Sequence, residues 1–281
     1  MTGREPEPIR RILLALDAVA HSPRLLETAS RLAARLDAEL HALFVEDANL
    51  LRLAGLPFAR EVRLTSATTR RLQNPEMERA LRAQATRAQQ ALAVAAGHMN
   101  VRWSFQVTRG EVAAEVAGES LQTDLVAFNL GVGRQARLTR LSATVETLVS
   151  DVSCPALMLL QDASLQPPFV TFYDGTPPSR RALALTARLA RTDSREVIVL
   201  IAASDEQARE QLRDEAVSRL TQEGSVPRPL LLSTIEPVSL ARAVHAARAG
   251  TLILPLGGAV LGVETVRRLL EQVECATLLV R

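Results

Sequence analysis

Lysine is missing altogether, so all 33 basic residues are arginine. That excludes the chemistries built on a lysine amine: a phosphate-loop lysine, a Schiff-base lysine and the strand lysine of protein kinases. Aromatic residues make up only 3%, so the core must be assembled from Leu, Val, Ile and Ala. Cysteine is nearly absent as well. Cys154 and Cys275 stand far apart with no C-x-x-C spacing, which excludes a dense disulfide framework and predicts a reducing, cytoplasmic setting. His21, His41, His98 and His245 have neither metal-ligand spacing nor a cysteine nearby, so structural or solvated roles are expected. An excess of one charge is missing too: 33 basic against 31 acidic residues give a net charge of +2, no footprint for nucleic acid. The longest largely apolar stretch, Thr251 to Val263, is broken by Pro255 and Gly257-Gly258. It falls well short of the roughly 20 residues of a membrane helix, so no membrane insertion is expected. The polar start, Met1 to Arg11, carries two prolines and does not read as a secretory signal.

What is present is an ordinary globular balance, 47% hydrophobic and 23% charged, in 281 residues. At roughly 100–200 residues per domain, this length predicts two domains or one large one. The chain also repeats itself. At a constant offset of 157, Asp17, Ser22, Arg24, Leu26 and Arg31-Leu32-Ala33 match Asp174, Ser179, Arg181, Leu183 and Arg188-Leu189-Ala190. At an offset of 121, Val145, Leu148, Val152, Cys154 and Leu157 match Val266, Leu269, Val273, Cys275 and Leu278. The first copy is therefore longer by about 36 residues between these anchors. The copies occupy 1–162 and 169–281, and 163–168, with its proline pair, reads as the linker.

Each copy opens on an apolar run ending in Asp, then a polar turn, then an amphipathic stretch. Strands rich in Val, Leu and Ile without alternation are the mark of parallel strands covered on both faces. Strands are predicted at Arg11–Leu16, Ala38–Val45, Val101–Val107, Asp124–Phe128 and Pro155–Leu160 in the first copy, with helices between them. The second copy repeats the order, from Phe169–Tyr173 to Ala276–Val280. The segment 47–98 is predicted to be mostly helical, broken near Pro57 and Pro75. Its arginines could line a solvated face or a partner surface. The fold class is α/β, as two tandem, doubly wound, open parallel sheets.

Several segments resemble the universal stress protein family. Phe172-Tyr173-Asp174-Gly175-Thr176 with Ser179-Arg180-Arg181-Ala182 is similar to that family's opening, and Leu16-Asp17 with Ser22 is a weaker version. Val152-Ser153-Cys154-Pro155-Ala156-Leu157 and Val273-Glu274-Cys275-Ala276-Thr277-Leu278 resemble its closing helix and strand. Leu43-Phe44-Val45-Glu46-Asp47, followed by Leu56-Pro57-Phe58-Ala59-Arg60-Glu61, is similar to bacterial members. The resemblance implies a five-stranded sheet in each copy, of the adenine nucleotide alpha hydrolase-like type. It also implies that the two copies pack as an intrachain pseudo-dimer, with the final strands near the contact.

In that family nucleotide binders carry Gly-x2-Gly-x9-Gly-[Ser/Thr] after the fourth strand and an Asp ending the first. Glycines let backbone N–H groups approach phosphate at a helix start. Neither copy keeps the motif. The first has Gly131 and Gly133 at Gly-x-Gly-x8-Ser spacing, with Arg134, Ser142 and Thr144 as further anion contacts, Asp17 for the nucleoside and Val45 beside it. An ordinary glycine turn is the competing account. The second has Asp174, but Gly257-Gly258 leads into a shortened loop, and Val263-Glu264 stands where Gly-Ser or Gly-Thr would be. The resemblance and the broken loops together predict a stress-response regulatory or interaction module that binds rather than catalyses. No cofactor is expected, and the partner is another protein or further copies of the chain. The alternative is an ATP or AMP sensor using the degenerate first-copy site. An enzyme would need a nucleophile–base pair that the sequence does not offer.

Overall fold

The computed structural model describes residues 9–17, 23–54, 56, 60–63, 68–71, 74–129, 154–159, 164–193, 195–203, 205–257 and 261–281. Its frame is one ten-stranded sheet. In the first half β1 (Arg11–Asp17), β2 (Glu39–Asp47), β5 (Trp103–Gly110), β6 (Leu125–Asn129) and β7 (Ala156–Leu159) lie in the order β5-β2-β1-β6-β7. In the second, β8 (Phe169–Tyr173), β9 (Glu196–Ile201), β10 (Val226–Leu231), β11 (Thr251–Pro255) and β12 (Ala276–Val280) repeat that order as β10-β9-β8-β11-β12. In this sheet every pairing inside one half is parallel. The halves meet edge to edge where β12 runs antiparallel to β7, Leu278 opposite Leu157 and Leu279 opposite Ala156. The two predicted five-stranded sheets are thus fused into one, through their final strands.

Helices cover both faces because the strands are apolar on both. On one face α1 (Pro23–Leu36), α3 (Asn74–His98), α5 (Pro177–Ala190) and α6 (Glu206–Gln222) bury Leu26, Leu92, Leu189 and Leu220 against Ile12, Phe44, Tyr173 and Val199. On the other, α4 (Val112–Ser120), α7 (Pro237–Ala246) and α8 (Val263–Leu270) bury Val116, Val244 and Leu269 against Leu13, Val45, Phe172 and Leu254. The helix face is set by sequence spacing: Leu25, Ala29, Leu32 and Leu36 recur every three or four residues along α1 and are all buried. Among the described residues no helix is long and apolar enough to cross a membrane.

Local chemistry sets the ends. Thr176 caps α5, its side chain accepting from the Ser179 N–H, and Pro177 supplies the first helical position. Asp205 caps α6 by accepting from the Ala208 N–H at 2.7 Å. Both α1 and α5 are followed by a left-handed residue, Asp37 (φ 53°) and Arg195 (φ 56°), so the repeat extends to backbone geometry.

The segment 47–98 is mostly helical, as expected, but a hairpin stands between its two helices. A short helix α2 (Ala48–Ala54) is followed by an antiparallel hairpin, β3 (Arg60–Arg63) with β4 (Thr68–Arg71), before the long α3 begins. Arg-Glu-Val-Arg and Thr-Thr-Arg-Arg carry β-branched Val62, Thr68 and Thr69, which favour strand. The predicted linker is no loose tether either. Leu165 is buried, the Gln166 N–H donates to Thr251 Oγ1 at 3.0 Å, and that hydroxyl donates back to the Gln166 carbonyl at 3.0 Å. The predicted helix over 138–150 lies outside the described residues.

Candidate functional site

In an open parallel sheet, ligands are received beyond the carboxyl ends of the strands, at the point where strand order reverses. Here there are two such crevices, one between β1 and β6 and one between β8 and β11.

The second-half crevice is the better defined. Asp174 follows β8, and its Oδ1 accepts from the Thr176 N–H at 3.1 Å and from Thr176 Oγ1 at 2.6 Å. Half of the carboxylate is therefore committed to shaping the turn into α5. Its Oδ2 is buried and has no hydrogen-bond partner. Gly175 between them sits at φ +77°, a left-handed conformation that favours glycine, and a Cβ there would displace only the tip of the Leu212 side chain, 2.7 Å away. On the far side of the crevice Gly257 leaves β11 at φ +85° with open space around it. Gly258 lies outside the described residues.

The helix start that would face a phosphate is α8, and it carries its own anion. Arg267 donates from Nε and Nη2 to Glu264 at 2.8 and 2.7 Å, and Arg268 Nε donates at 2.8 Å. These hydrogen bonds, from Arg267 first, hold the Glu264 carboxyl down at about 2. The negative charge at this helix N-terminus is thus fixed across the physiological range. Arg267 also pairs with Glu271, so its charge is shared between two carboxylates.

In the first half, Asp17 ends β1 opposite Val45 in the β1–β2 register. The Val45 side chain is wholly buried in the core, which leaves only its backbone for a ligand. Gly131, Gly133, Arg134, Ser142 and Thr144 lie outside the described residues.

Two charged clusters escaped the sequence reading. Glu46 is buried at the carboxyl end of β2, where Arg109 of β5 grips it from Nε at 3.1 Å and Nη2 at 2.9 Å. Arg109 Nη1 also reaches Glu78 of α3 at 3.2 Å, clamping that helix over the strand ends. The second cluster surrounds Tyr173. Burial pushes its hydroxyl up to about 12, and the hydroxyl makes no well-formed hydrogen bond. Arg180 and Arg219 both reach Glu215 beside it, at 3.1 and 3.0 Å. Each cluster holds a pairing between residues 31 or more positions apart, Arg109 with Glu78 and Arg180 with Glu215, which no local motif announces.

The cysteines are half-buried and unpaired with each other, and burial pushes both thiols up to about 11. They stay protonated at neutral pH and are poor nucleophiles. Among the described residues no three His, Cys, Asp or Glu side chains gather as a metal site.

By sequence, no family profile and no curated protein matches the chain. Solved structures match it closely in shape. A universal stress protein from Archaeoglobus fulgidus aligns with a TM-score of 0.71 over 96% of this chain and 95% of its own, at 16% identity. A Pseudomonas aeruginosa protein assigned to the universal stress proteins aligns at 0.58 over 96% and 92%, at 14% identity. The cytoplasmic domain of a prokaryotic cation chloride cotransporter aligns at 0.51 over 97% and 95%, at 12% identity. The chain has the fold of the universal stress proteins, over nearly its full length.

Proposed function

We propose that this chain is a tandem universal stress protein, working as a stress-response regulatory or interaction module by binding and not by catalysis. The observation that carries the reading is the Glu264 carboxylate at the start of α8, bonded by Arg267 and Arg268. A phosphate approaching the second crevice would meet a carboxylate held in place by Arg267 and Arg268. The Asp174 carboxylate is half committed to its own turn, which leaves one oxygen to accept a hydrogen bond. An anionic nucleotide is disfavoured there, while a protein surface with hydrogen-bond donors is not.

The alternative, an ATP or AMP sensor, rests on the first crevice. It draws support from Asp17, which extends beyond the last residue of β1 paired with β6, at Leu14, and so stands at the mouth of that crevice. Native mass spectrometry of the purified chain, alone and with ATP or AMP, separates the two. Bare protein at saturating nucleotide is the expected result. A retained or added nucleotide mass that disappears in Asp17→Ala would replace the interaction reading with the sensor.

A further inference from the structure

The ten-stranded sheet ends in two free edges, β5 and β10, and the two differ in what their backbones offer. On β10 the Val226 and Leu232 N–H groups donate inward, to the carbonyls of Arg195 and Ile201. The even-numbered residues therefore face β9, and Pro227, Pro229 and Leu231 turn their backbone groups outward. Two of those three outward positions have no N–H, and an edge so blunted cannot extend its ladder. On β5 the Leu40 N–H of β2 donates to the Arg102 carbonyl at 2.9 Å, so even-numbered residues again face inward. Trp103, Phe105, Val107 and Arg109 turn outward, and none is proline. Among the described residues no strand pairs with that edge. Val107 is 48% exposed on it.

We propose that β5 is the docking edge for a second copy of this chain, pairing antiparallel with the same strand across a two-fold axis. Self-complementarity of the strand selects the occupant. A two-fold axis normal to the sheet keeps each helix layer on its own side, so opposed residues must share parity. Centring the axis on Gln106 sets Phe105 opposite Val107 and Trp103 opposite Arg109 as hydrogen-bonded pairs, with Ser104 opposite Thr108 and Gln106 opposite itself. Phe105 with Val107 is an aromatic–aliphatic pair of the kind that stabilises neighbouring strands, and Ser104, Gln106, Thr108 and Arg109 already have partners within the chain, His41, Glu119, Glu115 and Glu46, so the seam asks no new partner of them. No like charges meet. Because β10 is blocked by its prolines, the assembly closes at two chains and does not grow into a filament. The pairing is separate from the crevices and does not depend on what they bind.

Sedimentation of the full chain over a concentration series, with amide hydrogen exchange, tests this. A monomer–dimer equilibrium is expected, in which the Phe105 and Val107 amides exchange more slowly as concentration rises. Val107→Pro copies the guard of β10 without removing an inward hydrogen bond, and Val107→Lys sets a charge opposite Phe105. Each should raise the dissociation constant by about tenfold or more. Leu231→Lys, on the opposite edge, should leave it unchanged. If Val107→Pro fails to fold, Val107→Lys decides. A chain that stays monomeric throughout, or a dimer indifferent to Val107→Lys, overturns the proposal.

Discussion

Single side chains in this protein divide between those that titrate usefully and those held in one state. Glu264 and the two cysteines are held, by arginine pairing and by burial. His41 is the exception. It lies buried on β2, its Nδ1 2.9 Å from Ser104 Oγ and its Nε2 3.8 Å from Glu119 of α4. Burial first, then Arg11, lower its pKa below 6.5, against the opposite pull of Glu119 and Glu39. A depressed histidine pKa means that the unfolded chain binds the proton more readily than the folded one. Stability is therefore fully present above 6.5 and declines as the pH falls from there through the folded value. Denaturant melts at neutral and mildly acidic pH should show that decline, and His41→Gln should flatten the part of it due to this residue. An unchanged slope in the variant would show that other groups cause it.

At the level of elements, most boundaries follow from local chemistry, but two features do not announce themselves in the local sequence. Gly250, before β11, is one. A Cβ at that position would press on the Gln166 carbonyl oxygen and stand 2.6 Å from that of Pro167, both backbone atoms that cannot swing aside. The Gly250 N–H also donates to the Pro168 carbonyl at 3.0 Å. Gly250→Ala should therefore cost about 1–3 kcal/mol, the usual range for overpacking, measured by chemical denaturation. A variant as stable as the parent would mean that the 164–168 segment yields easily. The β3–β4 hairpin is the other. Its strands have only four residues each, Arg-Glu-Val-Arg and Thr-Thr-Arg-Arg, without alternation and too short a window to separate strand from helix by period.

For the whole molecule, the decisive contact is β7 against β12. Both strands are buried from end to end, and each would be a bare apolar edge if its half stood alone. Arg35 of α1 adds a link across the halves, 2.8 Å from Asp193 beyond α5. Halves cut within 160–163 and produced separately should recombine into a one-to-one complex, seen by size exclusion and native mass spectrometry. Halves that each remain soluble monomers and ignore one another would show that the join contributes little to either.

The repeat, the α/β class and most strands and helices are legible in the amino-acid order alone, because parallel strands buried on both faces leave long apolar runs and capped helices leave Thr, Asp and Pro at their starts. That order also marked Asp174, Gly175 and the broken glycine loop, since these are local features a few residues long. The Glu46–Arg109–Glu78 clamp, the Tyr173 cluster and the blunted and open edges could be decided only by the tertiary structure. Each depends on which distant strands become neighbours and which way a backbone N–H then points, and pairing order is a property of the folded sheet.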